Sequence, residues 1–250
     1  GAYFYDNKIE IYATGLDYEF RSYTNWIWNV VTHELSHLYS MRRSFKAPRF
    51  MPMLYYQHID YQEEKREDVL TGYPNVLASY AVPMFTVPSW LAEGTAQYQT
   101  RAAHFDSLDA HREMILRQAA LNDKLLDINE MAVFTGDGRE NEMVYNHGYA
   151  LVSYIAEKYG ESKPPEMMNM LSRADAVTFD GVCKKILHIS SKKLHREWTA
   201  SLKERYSALR DSLGPLVEGA PFRKGGFLNG FQAWSSDGAK LAYVSNKGQD

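Results

Sequence analysis

The run Val30-Val31-Thr32-His33-Glu34-Leu35-Ser36-His37-Leu38 sets two histidines four positions apart inside an apolar stretch. On an α-helix, residues i and i+4 stand one above the other, so His33 and His37 present two imidazole nitrogens to a single tetrahedral Zn2+. Glu34 then lies beside the metal position, placed to take a proton from water rather than to ligate. Trp26, Ile27, Trp28, Val30, Val31, Leu35, Leu38, Tyr39 and Met41 surround the motif on nearly every side, which predicts a helix buried in a core. Buried imidazoles need partners, because an unpartnered buried polar group costs about 1–3 kcal/mol, and a metal ion supplies one. Thr24 or Asn25 can cap the helix start, and Arg42 and Arg43 stand where the C-terminal end of the dipole favours cations.

Working outward, 250 residues of which 45% are apolar can bury a sizeable core, as one large domain or two small ones. A net charge of −3 and a pI near 6.3 leave no electrostatic footprint for nucleic acid, so no DNA or RNA partner is expected. Cys183 is the only cysteine, which excludes an intrachain disulfide and a thiolate metal site; a metal must be held by histidine and carboxylate. No run of about 18 apolar residues occurs, so no membrane-spanning helix is expected. The start at Gly1-Ala2-Tyr3, without Met, reads as a processed or excised piece.

Lys8 to Tyr12 alternates polar and apolar residues and predicts a half-exposed strand before the histidine helix. From about 44 to 88 the chain has no clear period; it holds Pro48, Pro52, Pro74, Pro83 and Pro88 and reads as a functional or mobile stretch of the lid or binding-loop kind. A short polar helix is expected over Asp60 to Leu70, and Phe50, Met51, Met53, Tyr55 and Tyr56 are expected to pack on the core, with a substrate or partner surface as the alternative. Ser89 is the expected cap of a helix through Tyr98, and Ala92 stands where a capping box would need Glu, so Glu93 has no part in the helix start. Small Gly94 and Ala96 allow a close neighbour, expected to be the histidine helix. Further helices are expected over Ser107 to Leu121, after the Asp127-Ile128-Asn129-Glu130 box, over Asn141 to Tyr159, after Pro164-Pro165, and over Thr178 to His188. A last helix, capped by Ser190 or Ser191, puts Leu194, Trp198, Leu202, Tyr206 and Leu209 on one buried face. Beyond Phe222, Gln232 to Val244 reads as two short strands joined at Asp237-Gly238, too few to stand alone in water.

Three of these pieces resemble the gluzincin metallopeptidases, the peptidase-MA-like proteins related to thermolysin and to the thermolysin-like half of aminopeptidases. His33-Glu34-Leu35-Ser36-His37 matches their zinc helix, Trp90 to Ala96 resembles the helix that brings a third ligand, and Tyr145-Asn146-His147-Gly148 resembles their Tyr-x-x-Gly segment. The resemblance spans about residues 5–210. It implies an α+β, mostly helical catalytic domain over 1–212, with Zn2+ held by His33, His37 and Glu93, Glu34 as general base and Tyr145 as the hydroxyl that stabilises the oxyanion. Glu93 follows His37 at a much greater distance than in the aminopeptidases, which makes 44–88 an insertion beside the cleft. The Gly-x-Met-Glu-Asn segment that holds a substrate α-amine is missing, so the resemblance implies endopeptidase rather than aminopeptidase action. Residues 213–250 resemble a linker and first partial blade of a TolB-like β-propeller, a fold of about four to eight four-stranded blades. Proteins joining these parts are bacterial and exported, which implies a periplasmic or secreted setting.

The expected function is therefore zinc-dependent hydrolysis of peptide bonds in a peptide or protein substrate, with the C-terminal propeller as partner. The alternative is a catalytically idle peptidase-like scaffold or binding module working with that propeller; intact Glu34 argues against it, because a scaffold needs no base.

Overall fold

In the computed structural model, the described residues are 2–3, 8–9, 11, 26–46, 54–60, 76–82, 87–102, 110–134, 138–215, 217, 219–220, 225 and 229–245. In chain order they form β1 (Ala2–Tyr3), β2 (Lys8–Ile9), α1 (Trp26–Ser44), β3 (Leu54–Asp60), β4 (Val76–Val82), α2 (Ser89–Ala102), α3 (Ala110–Leu121), α4 (Gly138–Tyr159), α5 (Lys163–Leu171), α6 (Phe179–Ile186), α7 (Ser191–Leu213), β5 (Asn229–Trp234) and β6 (Leu241–Ser245). The strands pair two by two, β1 with β2, β3 with β4 and β5 with β6, which makes the chain α+β and mostly helical. No helix among the described residues is long and apolar enough to cross a membrane.

Two compact units divide the chain: Gly1–Tyr56 with Tyr80–Ser212, and Gln57–Ser79 with Leu213–Asp250. In the first, helices start and stop on local chemistry. Asp127 Oδ1 accepts from the amides of Asn129 and Glu130 at 2.7 and 2.9 Å while Glu130 Oε2 accepts from Asp127 N at 2.7 Å, the reciprocal box read from sequence, although only a 3-10 turn over Glu130–Ala132 follows it. Thr178 caps α6 by accepting from Gly181 N, and Ser190 caps α7 by accepting from Lys193 N. Gly160, at φ +112°, ends α4 in a conformation glycine adopts without strain. The Pro88 carbonyl accepts from Leu91 N and Ala92 N, so Ser89 is the first helical residue of α2 and not its cap.

The core of this unit lies where α2, α4, α5, α6 and α7 turn their apolar faces together. Trp90, Leu91, Leu151, Ile155, Met167, Met168, Leu171, Leu194, Trp198 and Tyr206 are fully buried, each stabilising by about 1.5–3 kcal/mol. Leu209 does not join them: it stands exposed one turn past Tyr206, where the α7 stripe runs beyond the core. The histidine helix α1 does pack on α2, but the backbone that comes closest at Gly94 is that of α4. A Cβ on Gly94 would lie 2.3 Å from the Gly148 carbonyl oxygen, and one on Gly148 would lie 2.4 Å from the Trp90 carbonyl oxygen, so the two backbones touch.

Helix α1 also departs from expectation. Met41 and Ser44 are buried and Leu38 is half-buried, but Ile27, Trp28, Leu35 and Tyr39 are exposed. One face packs inward and carries His33, His37, Met41 and Ser44 at helical spacing; the apolar residues opposite face outward. Between α1 and α2, the stretch expected to be irregular contains β3 and β4. Val-Leu-Ala-Ser-Tyr-Ala-Val, bounded by Pro74 and Pro83, carried that signal in its β-branched and aromatic residues. The helix expected over 60–70 lies outside the described residues apart from Asp60, which ends β3, and so do the side chains of the Phe50 to Tyr56 cluster. Of the expected N-terminal strand, Lys8 and Ile9 pair with Tyr3 and Ala2 and Ile11 is exposed, while Glu10 and Tyr12 lie outside the described residues.

In the second unit β5 and β6 form an antiparallel hairpin, with Gly230 opposite Val244 and Trp234 opposite Leu241. Its turn is closed by Gly238 at φ +70° and by Asp237 Oδ1 accepting from Ala239 N. An irregularity between Gly230 and Ala233 places Phe231 at φ +55°.

Candidate metal centre

Helix geometry alone brings His33 and His37 together on α1: their rings meet edge to face with centroids 4.7 Å apart and Nε2 atoms 3.1 Å apart. The third group arrives from α2. Glu93 Oε2 lies 3.0 Å from His33 Nε2 and 3.1 Å from His37 Nε2. All three side chains are largely but not wholly buried, 13–16% exposed, as a site open to a small molecule requires. Among the described residues this is the one cluster of three histidine, cysteine or acidic side chains with ligand atoms close enough to hold a metal ion.

Hydrogen bonding does not account for this triangle. If both Nε2 atoms carry protons, both donate to Glu93 and then face each other as donors; if either lacks its proton, it has no bond to the carboxylate. At most two of the three edges are satisfied. A cation bound by all three satisfies every edge, and ligand atoms around a tetrahedral zinc with bonds near 2.0–2.1 Å stand about 3.3 Å apart, close to the spacings here. Two imidazoles and one carboxylate are also the donor set of catalytic zinc sites that keep a position open. The residues fit the metal.

Electrostatics agree. Burial works to raise the Glu93 carboxyl, but the neighbouring His37 charge and hydrogen bonds from both histidines outweigh it and hold the group at about 2. At His37 burial pulls the imidazole down, yet the charge and hydrogen bond of Glu93, with the charge of Glu34, raise it above its ordinary value. Glu34 follows His33 on α1, is half-buried, and is near enough to the cluster for its charge to act on His37.

Tyr145, on α4, places its ring 6.3 Å from that of His33. Burial, reinforced by the charges of Glu93, Glu34 and Glu142, pushes its hydroxyl well above the usual phenol range, so it keeps its proton and is able to donate it in a hydrogen bond. Phe134 stands on one side of the ring, 5.6 Å away between centroids, and the Arg112 guanidinium carbon lies 6.0 Å from the ring centre. Arg112 and Phe134 were not legible in the sequence, since each reaches Tyr145 from a separate element. His147 does not face the site. Two residues beyond Tyr145 on the helix, it points to the opposite side, fully buried, its ring 6.0 Å from Trp198. In the 44–88 stretch other groups capable of holding a metal are His58, Glu63 and Glu64; His58 lies on β3, and its side chain, with Glu63 and Glu64, is outside the described residues.

Glu93 is set beside α1 by the contact of α2 with α4, because Gly94 and Gly148 let the two backbones meet one residue from Glu93. Trp90, one turn earlier, is fully buried edge-on to Phe179 at 5.0 Å and fixes the start of α2. A family model of the Peptidase MA superfamily matches residues 77–204, just over half the chain. The match takes in Glu93, Arg112, Tyr145 and Gly148; α1, with His33, Glu34 and His37, precedes it. No curated protein and no solved structure matches the chain.

Proposed function

The chain belongs to the Peptidase MA superfamily, and from that premise we propose that it is a zinc-dependent metallopeptidase that hydrolyses peptide bonds with Glu34 as general base. The observation that carries this is the His33, His37, Glu93 triangle, whose three edges of 3.0–3.1 Å fit one cation and no arrangement of protons. Zinc, when bound, lowers the pKa of water to about 7 and polarises a carbonyl. His33 and His37 hold it as neutral imidazoles, and Glu93 adds the negative charge. Glu34, next in sequence to one ligand, takes the proton from the attacking water and delivers it to the leaving amine. Tyr145 keeps its own proton and donates a hydrogen bond to the oxygen on which negative charge develops. The missing Gly-x-Met-Glu-Asn segment supports cleavage inside a chain rather than removal of an N-terminal residue.

The β5–β6 hairpin supports the reading of residues 213–250 as the opening of a propeller blade, because Phe231, Trp234 and Val244 are exposed and two strands by themselves are marginal in water. A periplasmic or secreted setting goes with that reading.

Glu34→Gln separates the enzyme from an idle scaffold, since it keeps size and hydrogen bonding while removing the base. The variant is expected to retain zinc and to lose about a hundredfold or more in kcat on a peptide the parent protein cleaves. Undiminished turnover would end Glu34's role, and absence of turnover in the parent protein would favour the scaffold.

A further inference from the structure

A tyrosine that donates to a developing oxyanion must hold its hydroxyl in place, and Tyr145 reaches the site only through the swing of its ring. A rotation of roughly 10° moves the hydroxyl by about 1 Å, and a misplacement of that size costs up to about a hundredfold in rate. What lies against the ring therefore decides how well it works. Among the described residues, its ring and cation neighbours are His33, a ligand; Phe134, on a loop and exposed; and Arg112, on α3, with its side chain only 11% exposed.

Arg112 is the one of the three tied to the helix that carries Tyr145. Its Nε donates to Glu142 Oε1 at 3.1 Å, and its carbonyl accepts from Asn146 Nδ2 at 2.7 Å. Glu142, Tyr145 and Asn146 fall at i, i+3 and i+4 on α4 and share one face. Arg112 is thus gripped on both sides of Tyr145, at its head and at its backbone, while its guanidinium lies within range of the ring. A planar guanidinium can bond a carboxylate through its edge and cover an aromatic ring with its face at the same time; an ammonium cannot.

We infer that Arg112 is a positioning residue that holds the Tyr145 ring, through its clamp on Glu142 and Asn146, so that the hydroxyl points at the substrate oxygen. This rests on the reading of Tyr145 as the oxyanion donor.

The test is a double-mutant cycle on the full chain with zinc content checked in each variant. Arg112→Met is expected to lower kcat by about 10- to 100-fold with KM changed by less than about threefold, and to add less than about twofold once Tyr145→Phe is present, because the residue acts through that hydroxyl. Arg112→Lys, which keeps the charge and is gentler on the fold, is expected to lose at least about tenfold. A readout independent of turnover is the fluorine resonance of 3-fluorotyrosine placed at position 145, expected to shift and broaden in both Arg112 variants. An Arg112→Met loss that multiplies fully with that of Tyr145→Phe, or an unmoved fluorine signal, overturns the proposal. An unchanged kcat in Tyr145→Phe overturns it by removing the role of Tyr145 itself, and a parent protein without peptidase activity removes the reading beneath both.

Discussion

Glu93 illustrates what a single residue contributes here. A carboxylate at 3.0 and 3.1 Å from two imidazoles neutralises charge that a metal would otherwise bring uncompensated into a largely buried site. Glu93→Ala is expected to weaken zinc retention by roughly 10- to 100-fold or more while the far-ultraviolet circular dichroism stays unchanged, because no core residue is lost; dialysis against a metal buffer checks it. Unchanged affinity would move the third ligand elsewhere. Protons compete for the same nitrogens. Burial pulls the His37 imidazole down, but the charge and hydrogen bond of Glu93, with the charge of Glu34, raise it above 6.5 in the metal-free protein, so protons compete for it more strongly than for an ordinary histidine. Zinc affinity should therefore climb with pH through and beyond 6.5, by up to roughly tenfold per pH unit for each proton displaced, and then level off. Glu93, held at about 2, takes no part in that rise. Titration with a chelating indicator at several pH values measures it, and an affinity flat from pH 6 to 8 would contradict the assignment of His37.

Among the elements, the pairing of α2 with α4 does most to shape the site. Their backbones meet at Gly94 and Gly148, and neither position has room for a methyl group against main-chain atoms, which cannot move aside as a flexible side chain would. Gly148→Ala is expected to force the helices apart, costing about 1–3 kcal/mol of stability and lowering zinc affinity, because Glu93 rides on the displaced helix. Thermal unfolding of the metal-free variant and zinc titration of the same sample test the two effects separately. A loss of stability with zinc affinity intact would show that α2 can shift without moving its ligand. The same pairing brings Tyr145 and Glu93 toward one another, so the third ligand and the proposed oxyanion donor depend on a single helix crossing.

For the whole molecule, acid sensitivity should trace to a residue remote from the metal. His147 is fully buried between α4 and α7, and neither ring nitrogen has a hydrogen-bond partner among the described residues. Burial, with the nearby His195 charge, holds it at about 4, against 6.5 for an unburied histidine. The unfolded chain thus binds a proton that the folded one refuses, and stability falls as pH drops from about 6.5 towards 4, by about 3 kcal/mol in all. Glu93 contributes stability that is lost only below about 4.5, so the upper part of the window belongs to His147. Denaturant unfolding of metal-free protein between pH 6.5 and 4.5 is expected to show this slope, and His147→Gln to flatten it. A slope that persists in the variant would place the acid-sensitive group elsewhere.

The pairing of the two imidazoles was legible in the sequence because their relation is local: a four-residue step on a helix dictates it whatever surrounds the helix. Helix ends at Thr178, Ser190 and Gly160, the Asp127 to Glu130 box and the β5–β6 hairpin were legible for the same reason, each being settled within a few residues. Glu93 and Tyr145 could be named only through resemblance, since nothing near either one states which helix it will face. Tertiary structure alone decided that α2 meets α4 at Gly94, that Arg112 lies over Tyr145, and that Trp28, Leu35 and Tyr39 of the histidine helix face outward. Periodicity reports that a side chain belongs to a face, but which neighbour that face meets depends on how distant segments pack, and a sequence pattern a few residues long carries no information about that.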